Sequence, residues 1–442
     1  MIFDVRKSES LILIGLVFSY NMLFLSKLTD FRKPNIKNQT WNIEKQLYLC
    51  TMKSQIILKT GKENPVKRFH PWIFSGAIGK IVGKPTDGEV VDVLDSQKNY
   101  LATGHYHEGS IAVKIFSFQA TESDENFWFG KIQKAYDVRQ IINFQDTNCF
   151  RLIHGEGDGC PGLIIDFYNG VAVFQAHSIG MYLEKEKISL ALQRVFGDKL
   201  LAVYDKSHET LPKQFAQNVQ NGYLFGQCAV PHEVSENGYT FLINWETGQK
   251  TGFFLDQRDN RALLAKYSKG KKVLNSFCYS GGFSIYALGA EAELVHSVDV
   301  SQKAIDLVTQ NVAVNHFQGL THEAYAEDVM KYLKANDQFY DLIVLDPPAF
   351  AKNVATRHNA VQGYKRLNAE GFKRLAKGGI LFTFSCSQVV DRDLFYNTVV
   401  AAALEAGKQV KVLHHLTQPA DHPVNFFHPE GSYLKGLVLY VE

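Results

Sequence analysis

No CxxC pair and no zinc-like cysteine spacing occurs in these 442 residues. The six cysteines, Cys50, Cys149, Cys160, Cys228, Cys278 and Cys386, are scattered singly. That usage belongs to a reducing cytosol and excludes a disulfide framework or a cysteine-built structural metal site. A charge excess is also missing: 47 basic residues face 45 acidic ones, for a net charge of +2. Any basic surface for a polyanion must therefore be local. Internal repeats and low-complexity tracts are absent too. A 45% apolar composition supports well-formed cores, and the length corresponds to about three domains.

The longest apolar run is LILIGLVFSYNMLFL, residues 11–25, which is short for a bilayer span and closer to a signal-peptide core. No small-residue cleavage site follows it cleanly. Residues 1–51 are expected to be a non-native or disordered extension, because MKSQIILKTGKE from Met52 opens the first coherent domain at once. No stable membrane association is expected, and the protein is expected in the cytoplasm.

Residues 52–124 read as short strands, SQIILK, EVVDVLD, NYLATGHY and SIAVKIFSF, punctuated by glycines, which suggests a small closed β module. Its start carries Lys53, Lys59, Lys62, Lys67 and Arg68 against the single acid Glu63. Residues 125–233 read as a small α+β domain: a helix-like ENFWFGKIQKAYDVRQII, two strands around the glycine-rich HGEGDGCPG, and a helix near YLEKEKISLALQRVF. No Lys-Ser/Thr follows those glycines, so a hairpin turn is expected and a phosphate loop is not. The role expected of this domain is to position substrate.

From about residue 234 onward an Asn237-Gly238 hairpin and a polar cluster, Asp256, Gln257, Arg258 and Arg261, lead into alternating strands and helices. The cluster suits a helix start capped by Asp256 or the lining of a site. The alternation predicts a doubly wound parallel sheet. Four strand ends carry polar groups: KKVLNSF runs into the turn CYSGG, LVHSVDV ends at Asp299, Asp328 lies in AEDVMKYL, and DLIVLDPPAF stops at Asp346. Cys386 follows the strand GGILFTFS. In open α/β sheets the crevice beyond the carboxyl ends of the strands is where ligands bind. Asp299 lies about twenty residues past the glycine turn, where an acid can hold a ribose. The turn is not GxGxxG, which argues against a pyrophosphate-bearing dinucleotide, whereas S-adenosylmethionine carries no phosphate and needs only close backbone approach.

The set NSFCYSGGFS, VDVSQKAIDLVTQN, AEDVMKYL, LDPPAF and FTFSCS resembles a class I S-adenosylmethionine-dependent methyltransferase. KTGKENPVKRFHPWIFSGAIGKI resembles the start of a PUA domain, an RNA-binding β-barrel, through His70, Pro71, Trp72, Phe74 and Gly76. Together these make residues 53–442 similar to the large-subunit ribosomal RNA cytosine-5 methyltransferases, with a PUA domain, a small α+β domain and a Rossmann-like domain in that order. The resemblance implies that Phe277, Tyr279, Gly281 and Gly282 line the methionine side of the cofactor, Asp299 holds the ribose, and Asp328 accepts from the adenine amino group. It implies Cys386 as the thiolate that adds to carbon 6 of cytosine, with Cys278 as its rival, and Asp346 as a group shared by cofactor and base. A free thiol is only a few per cent ionised at neutral pH, so Cys386 is expected to have a polarising neighbour. Pro347 and Phe350 are expected to grip the base, Lys67 and Arg68 to meet phosphates, and Tyr364 and Lys365 in GYKRLN to touch the RNA. The histidines His414, His415, His422 and His428 lack an acid-supported pattern, so no metal is expected. Two rivals stand beside this reading: methylation of another RNA base such as guanine, and a non-catalytic RNA-binding or assembly protein. The oligomeric state stays open, a homodimer included.

Overall fold

The computed structural model describes residues 53–317, 319–351 and 353–442, so the expectation for residues 1–51 lies outside the described residues. The amino-terminal module is a six-stranded mixed sheet of β1 (Gln55–Leu58), β2 (Trp72–Phe74), β3 (Ile78–Val82), β4 (Val90–Leu94), β5 (Tyr100–Tyr106) and β6 (Ile111–Ser117). Their order is β2-β6-β5-β4-β1-β3, and the alternating inward residues Ile56, Leu58, Val91, Val93, Val113 and Ile115 form its core. The sequence pattern shows only four of these strands. β2 is three residues long and β3 is largely exposed, so neither carries a strong alternation.

The second domain has the sheet β11-β10-β9-β8-β7, with β7 Cys149–His154, β8 Leu163–Tyr168, β9 Val171–Ala176, β10 Ala202–Asp205 and β11 Gly222–Gly226. Helices α1 (Glu125–Ile142) and α2 (Lys185–Phe196) cover one face, burying Trp128, Ile132, Ile188 and Leu192 against it. The glycine-rich stretch does join antiparallel β7 and β8, but a 3-10 turn, Gly155–Asp158, forms inside it where no helix is expected. β12 (His232–Glu236) and β13 (Tyr239–Ile243) pair about Asn237 and Gly238, both at positive φ as a tight primed turn requires. β12 begins two residues ahead of the expected boundary at 234.

The last domain contains α3 (Arg258–Ser268), β14 (Lys272–Ser276), α4 (Gly282–Gly289), β15 (Leu294–Asp299), α5 (Gln302–Val314), β16 (Thr321–Ala326), α6 (Val329–Ala335) and β17 (Tyr340–Leu345). It ends with α7 (Arg357–Arg374), β18 (Leu375–Ser385), α8 (Arg392–Glu405), β19 (Val410–Leu416) and β20 (Lys435–Val441). The sheet order β16-β15-β14-β17-β18-β20-β19 is parallel through β18, with β20 antiparallel to both its neighbours. The chain leaves β14 in one direction and returns on its other side at β17, so the topological switch falls between their carboxyl ends. β14 and β17 are buried on both faces, as their continuous apolar runs require.

The polar cluster before α3 divides its labour. Asp256 does not cap the helix. Arg258 is buried and donates to Asp421 Oδ2 at 3.0 Å and to the Cys149 carbonyl at 2.7 Å, while Arg261 binds Glu236 through two bonds of 2.9 and 2.7 Å. Asp421 also accepts from the Arg151 N–H at 3.0 Å, and its carbonyl accepts from Arg139 at 2.8 Å. These bonds fasten the second domain to the last one and fix what the two build between them.

Candidate active site

The switch point opens into a cavity of about 250 Å³ floored by the β14 turn and the Asp346-Pro347-Pro348 loop. Phe277 (φ 57°), Tyr279 (φ 45°) and Gly281 (φ 78°) make that turn left-handed at three of five positions. Holding two aromatic residues there costs roughly 1–3 kcal/mol each, strain of the kind found at ligand clamps. Two contacts keep it in place: Tyr279 N–H donates to Asp299 Oδ2 at 3.1 Å, and the Tyr279 hydroxyl donates to the Gly252 carbonyl at 3.1 Å. Phe277, Tyr279, Gly282 and Asp299 line the cavity as expected. Gly281 serves the backbone instead, since a Cβ there would come within 2.1 Å of Val308 Cγ2 on α5. Asp328 is exposed outside the lining, and its Oδ1 caps α6 by accepting from Lys331 N–H at 2.9 Å.

A second cavity of about 510 Å³ lies on the other side of Cys386, lined by Arg151, His154, Gln175, His177 and Lys250 from the second domain and the loop before α3, with Ser387, Gln388 and Tyr433 facing them. Phe253, Phe254, Asp256 and Cys386 line both spaces. Burial keeps His154 well below the usual imidazole range and brings His177 down to about 4, so both are neutral at physiological pH. Arg151 is neutralised by two bonds to Asp166, of 2.8 and 2.9 Å. Neutral rings and an amide suit the polar edge of a base, and exposed Lys250 adds a cation to the same lining. No motif marks these residues along the chain, because Arg151 and His154 meet much of the remaining lining only across the domain boundary.

Among the shared residues Asp256 accepts from the Tyr433 hydroxyl at 2.5 Å, and its Oδ1 is buried with no hydrogen-bond partner. Asp346 accepts from Gln257 Nε2 at 2.9 Å; burial, with Asp256 adding to it, lifts the Asp346 carboxyl to about 7. Burial first, then Asp346 and Asp256, pushes the Cys386 thiol up to about 11, and Lys435 opposes them. Lys435 stands opposite Ser385 in the β18–β20 register and donates to the Ser387 carbonyl at 2.7 Å. Burial brings its amine down to about 8. Lys435 is the one cation that opposes this rise, but the net effect leaves the thiol above its ordinary value; it comes from a strand 49 positions further along the chain. Cys278 is 6% exposed, packs on Ile305 and Val308 and lines only the smaller cavity; burial holds its thiol far above the usual range.

Two expectations need correction. Tyr364 is fully buried, its ring 4.6 Å from Phe350 and 5.7 Å from Phe395 and its hydroxyl 3.1 Å from Ser387 Oγ, so it cannot touch RNA. The helical face on which it lies is the one turned to the sheet. Phe350 leans on Tyr364 and lines neither cavity; of the two groups expected to grip a base only Pro347 reaches the site. Lys365 pairs with Glu405 on α8 at 2.8 Å. Lys67 and Arg68 are exposed at the end of a four-residue helix, Lys67 3.7 Å from Glu63.

The cleft lies at the topological switch point, where open α/β sheets bind ligands, with Asp299 and aromatic side chains in its lining. Residues 56–118 match the PUA-like domain family, and residues 150–431 match the S-adenosylmethionine-dependent methyltransferase family. The chain belongs to the latter family, and its cofactor is S-adenosylmethionine. Among curated proteins it is similar to Ribosomal RNA large subunit methyltransferase I of Alteromonas mediterranea, 40% identical over 397 residues that cover 88% of this chain and 99% of the relative. The protein of that name from Escherichia coli is 37% identical over 399 residues, 88% of this chain and 100% of its own length. A solved Streptococcus mutans protein described as a SAM-dependent methyltransferase is 24% identical with a TM-score of 0.75, covering 88% of this chain and all of that one. Another, described as a methyltransferase complexed with SAH, is 24% identical with a TM-score of 0.76 and the same coverage. These two show the shared fold.

Proposed function

We propose that the protein methylates carbon 5 of a cytosine in large-subunit ribosomal RNA through a covalent adduct on Cys386. The observation that carries this reading is the position of Cys386 in the wall common to both cavities, facing the cofactor cleft on one side and the neutral polar chamber on the other. The names of the relatives support ribosomal RNA as substrate. S-adenosylmethionine, when bound, supplies an electrophilic methyl group; Phe277, Tyr279, Gly282 and Asp299 would hold it.

Carbon 5 of cytosine is a weak nucleophile until a thiolate adds to carbon 6. Lys435 takes the Cys386 proton, and the sulfur then bonds to carbon 6 of a base drawn out of its stack. The extra electron pair passes through the ring to nitrogen 3, where the protonated carboxyl of Asp346 donates its proton. Asp256 Oδ1, unpartnered in the protein alone, accepts from the 4-amino group, a donor that uracil lacks. After methyl transfer a base removes the proton from carbon 5, nitrogen 3 returns its proton to Asp346 as the carbon–sulfur bond breaks, and the released thiolate takes back the proton held by Lys435. Gln175 and His177 hold the base edge, Lys250 a flanking phosphate, and Lys67 and Arg68 more distant phosphates. Bisulfite sequencing of ribosomal RNA from a strain lacking the gene tests the reading. One cytosine should lose protection and regain it when the wild-type gene is restored; an unchanged pattern would contradict the assignment.

A further inference from the structure

The first and last domains meet at a cluster that neither cavity uses. His70, in the segment before β2, lies beside His428 and Glu430 of the segment before β20, and one donor atom from each falls within 4.8 Å of the others. His428 is 2% exposed, and neither of its ring nitrogens has a hydrogen-bond partner. A buried imidazole with both nitrogens unsatisfied is costly unless something absent from the protein alone completes it. Its Nε2 is 3.7 Å from Glu430 Oε2.

The surroundings have the form of a second shell. His70 Nδ1 lies 3.1 Å from the Trp72 carbonyl and 3.2 Å from the Trp72 N–H; in the tautomer that donates to the carbonyl, Nε2 is free to bind a cation, the arrangement usual for metal-ligating histidines. Trp72 packs against the His428 ring at 4.2 Å, and its indole N–H donates to Glu156 of the second domain at 2.8 Å. Asn425 donates to the Glu156 carbonyl at 3.2 Å. Glu430 is exposed, and its carboxylate already stands on the His428 side of the cluster.

We infer that His70, His428 and Glu430 form a binding site for a divalent transition metal, with zinc the best match, that braces the amino-terminal domain against the closing segment of the catalytic domain. Two imidazoles and one carboxylate are a known zinc donor set, leaving a fourth position for water. Zinc bonds of about 2.0–2.2 Å place donors about 3.4 Å apart, close to the His428–Glu430 separation. Imidazole donors also disfavour magnesium and calcium, which take oxygen. The expectation of no metal came from the carboxyl-terminal histidines alone; the fold adds His70 from the far end of the chain.

Calorimetric titration of the chelator-treated full-length protein with zinc chloride tests the site, together with the visible absorption of the cobalt(II) form. The expected result is one zinc per chain, bound at least about tenfold more weakly by His428→Gln and by Glu430→Gln, with the cobalt absorption bands reduced in both. Glu430 is at the surface, so Glu430→Gln reports on binding without threatening the fold. Failure of the wild type to bind zinc, or unchanged affinity and spectra in both variants, overturns the proposal.

Discussion

The two cavities that share Cys386 are built in different ways. The cofactor cleft comes from one domain and from neighbouring strand ends, so its parts are close in sequence and carry recognisable spacing. The larger chamber draws on β7, β9, the loop before α3 and the segments flanking β18 and β20, held together by the buried bonds of Arg258 and Asp421. Local chain geometry suffices for the first, whereas the second exists only after two domains have docked. On the proposed function, the common fold would recruit the methyl donor and the attached domain would help choose the acceptor.

The sharpest break in the comparison comes from the shared wall. Cys386→Ala should lower methyl transfer by at least about a thousandfold while leaving cofactor binding, measured by calorimetry, unchanged. Asp421→Ala leaves buried Arg258 with Glu236 as its remaining ionic partner and removes the acceptor of Arg151 N–H, which should cost roughly 3 kcal/mol of stability, read as a lower chemical-denaturation midpoint. Among molecules still folded, it should damage RNA affinity more than cofactor affinity.

Replacing one group on each side should then separate the two spaces. His177→Ala should reduce kcat/KM for RNA by about ten- to a hundredfold with cofactor affinity intact. Asp299→Asn should do the converse, weakening the cofactor by about tenfold with RNA affinity intact. Equal losses on both sides for either variant would erase the distinction.

The smallest effect expected is on the shape of the pH profile. Asp346, at about 7, acts protonated, and Lys435, at about 8, acts neutral. Below pH 7 the rate should rise with pH as Lys435 loses its proton, and above pH 8 it should fall as Asp346 stays ionised. Asp346→Asn should remove the alkaline descent and keep the acid limb. A descent that persists in that variant would exclude Asp346 as the proton donor.

The same contrast governs what could be read from the chain. βαβ alternation, the strand-end acids and the glycine turn were legible because each rests on local periodicity or on a short spacing. Tyr364 misled because a sequence match does not say which face of a helix meets the sheet; its neighbours Phe350 and Phe395 decide that. Lys435 was invisible because its closeness to Cys386 comes from antiparallel register between β18 and β20. Arg258, Asp421 and His70 show the same limit: their partners lie in other domains, and no spacing along the chain announces them. In the loop DLIVLDPPAF, Asp346 and Pro347 line the cleft, which the strand-end position of the acid made legible.

The central claim, that one sulfur serves both cavities, can be tested by trapping the adduct. RNA carrying 5-fluorocytosine at the target has no carbon-5 proton to lose, so a sulfur–carbon bond formed at carbon 6 persists after methyl transfer. Wild-type protein with S-adenosylmethionine should give a denaturant-stable protein–RNA species that peptide mapping places on Cys386, and Cys386→Ala should give none. Absence of that species in the wild type, or its persistence in Cys386→Ala, would contradict the account.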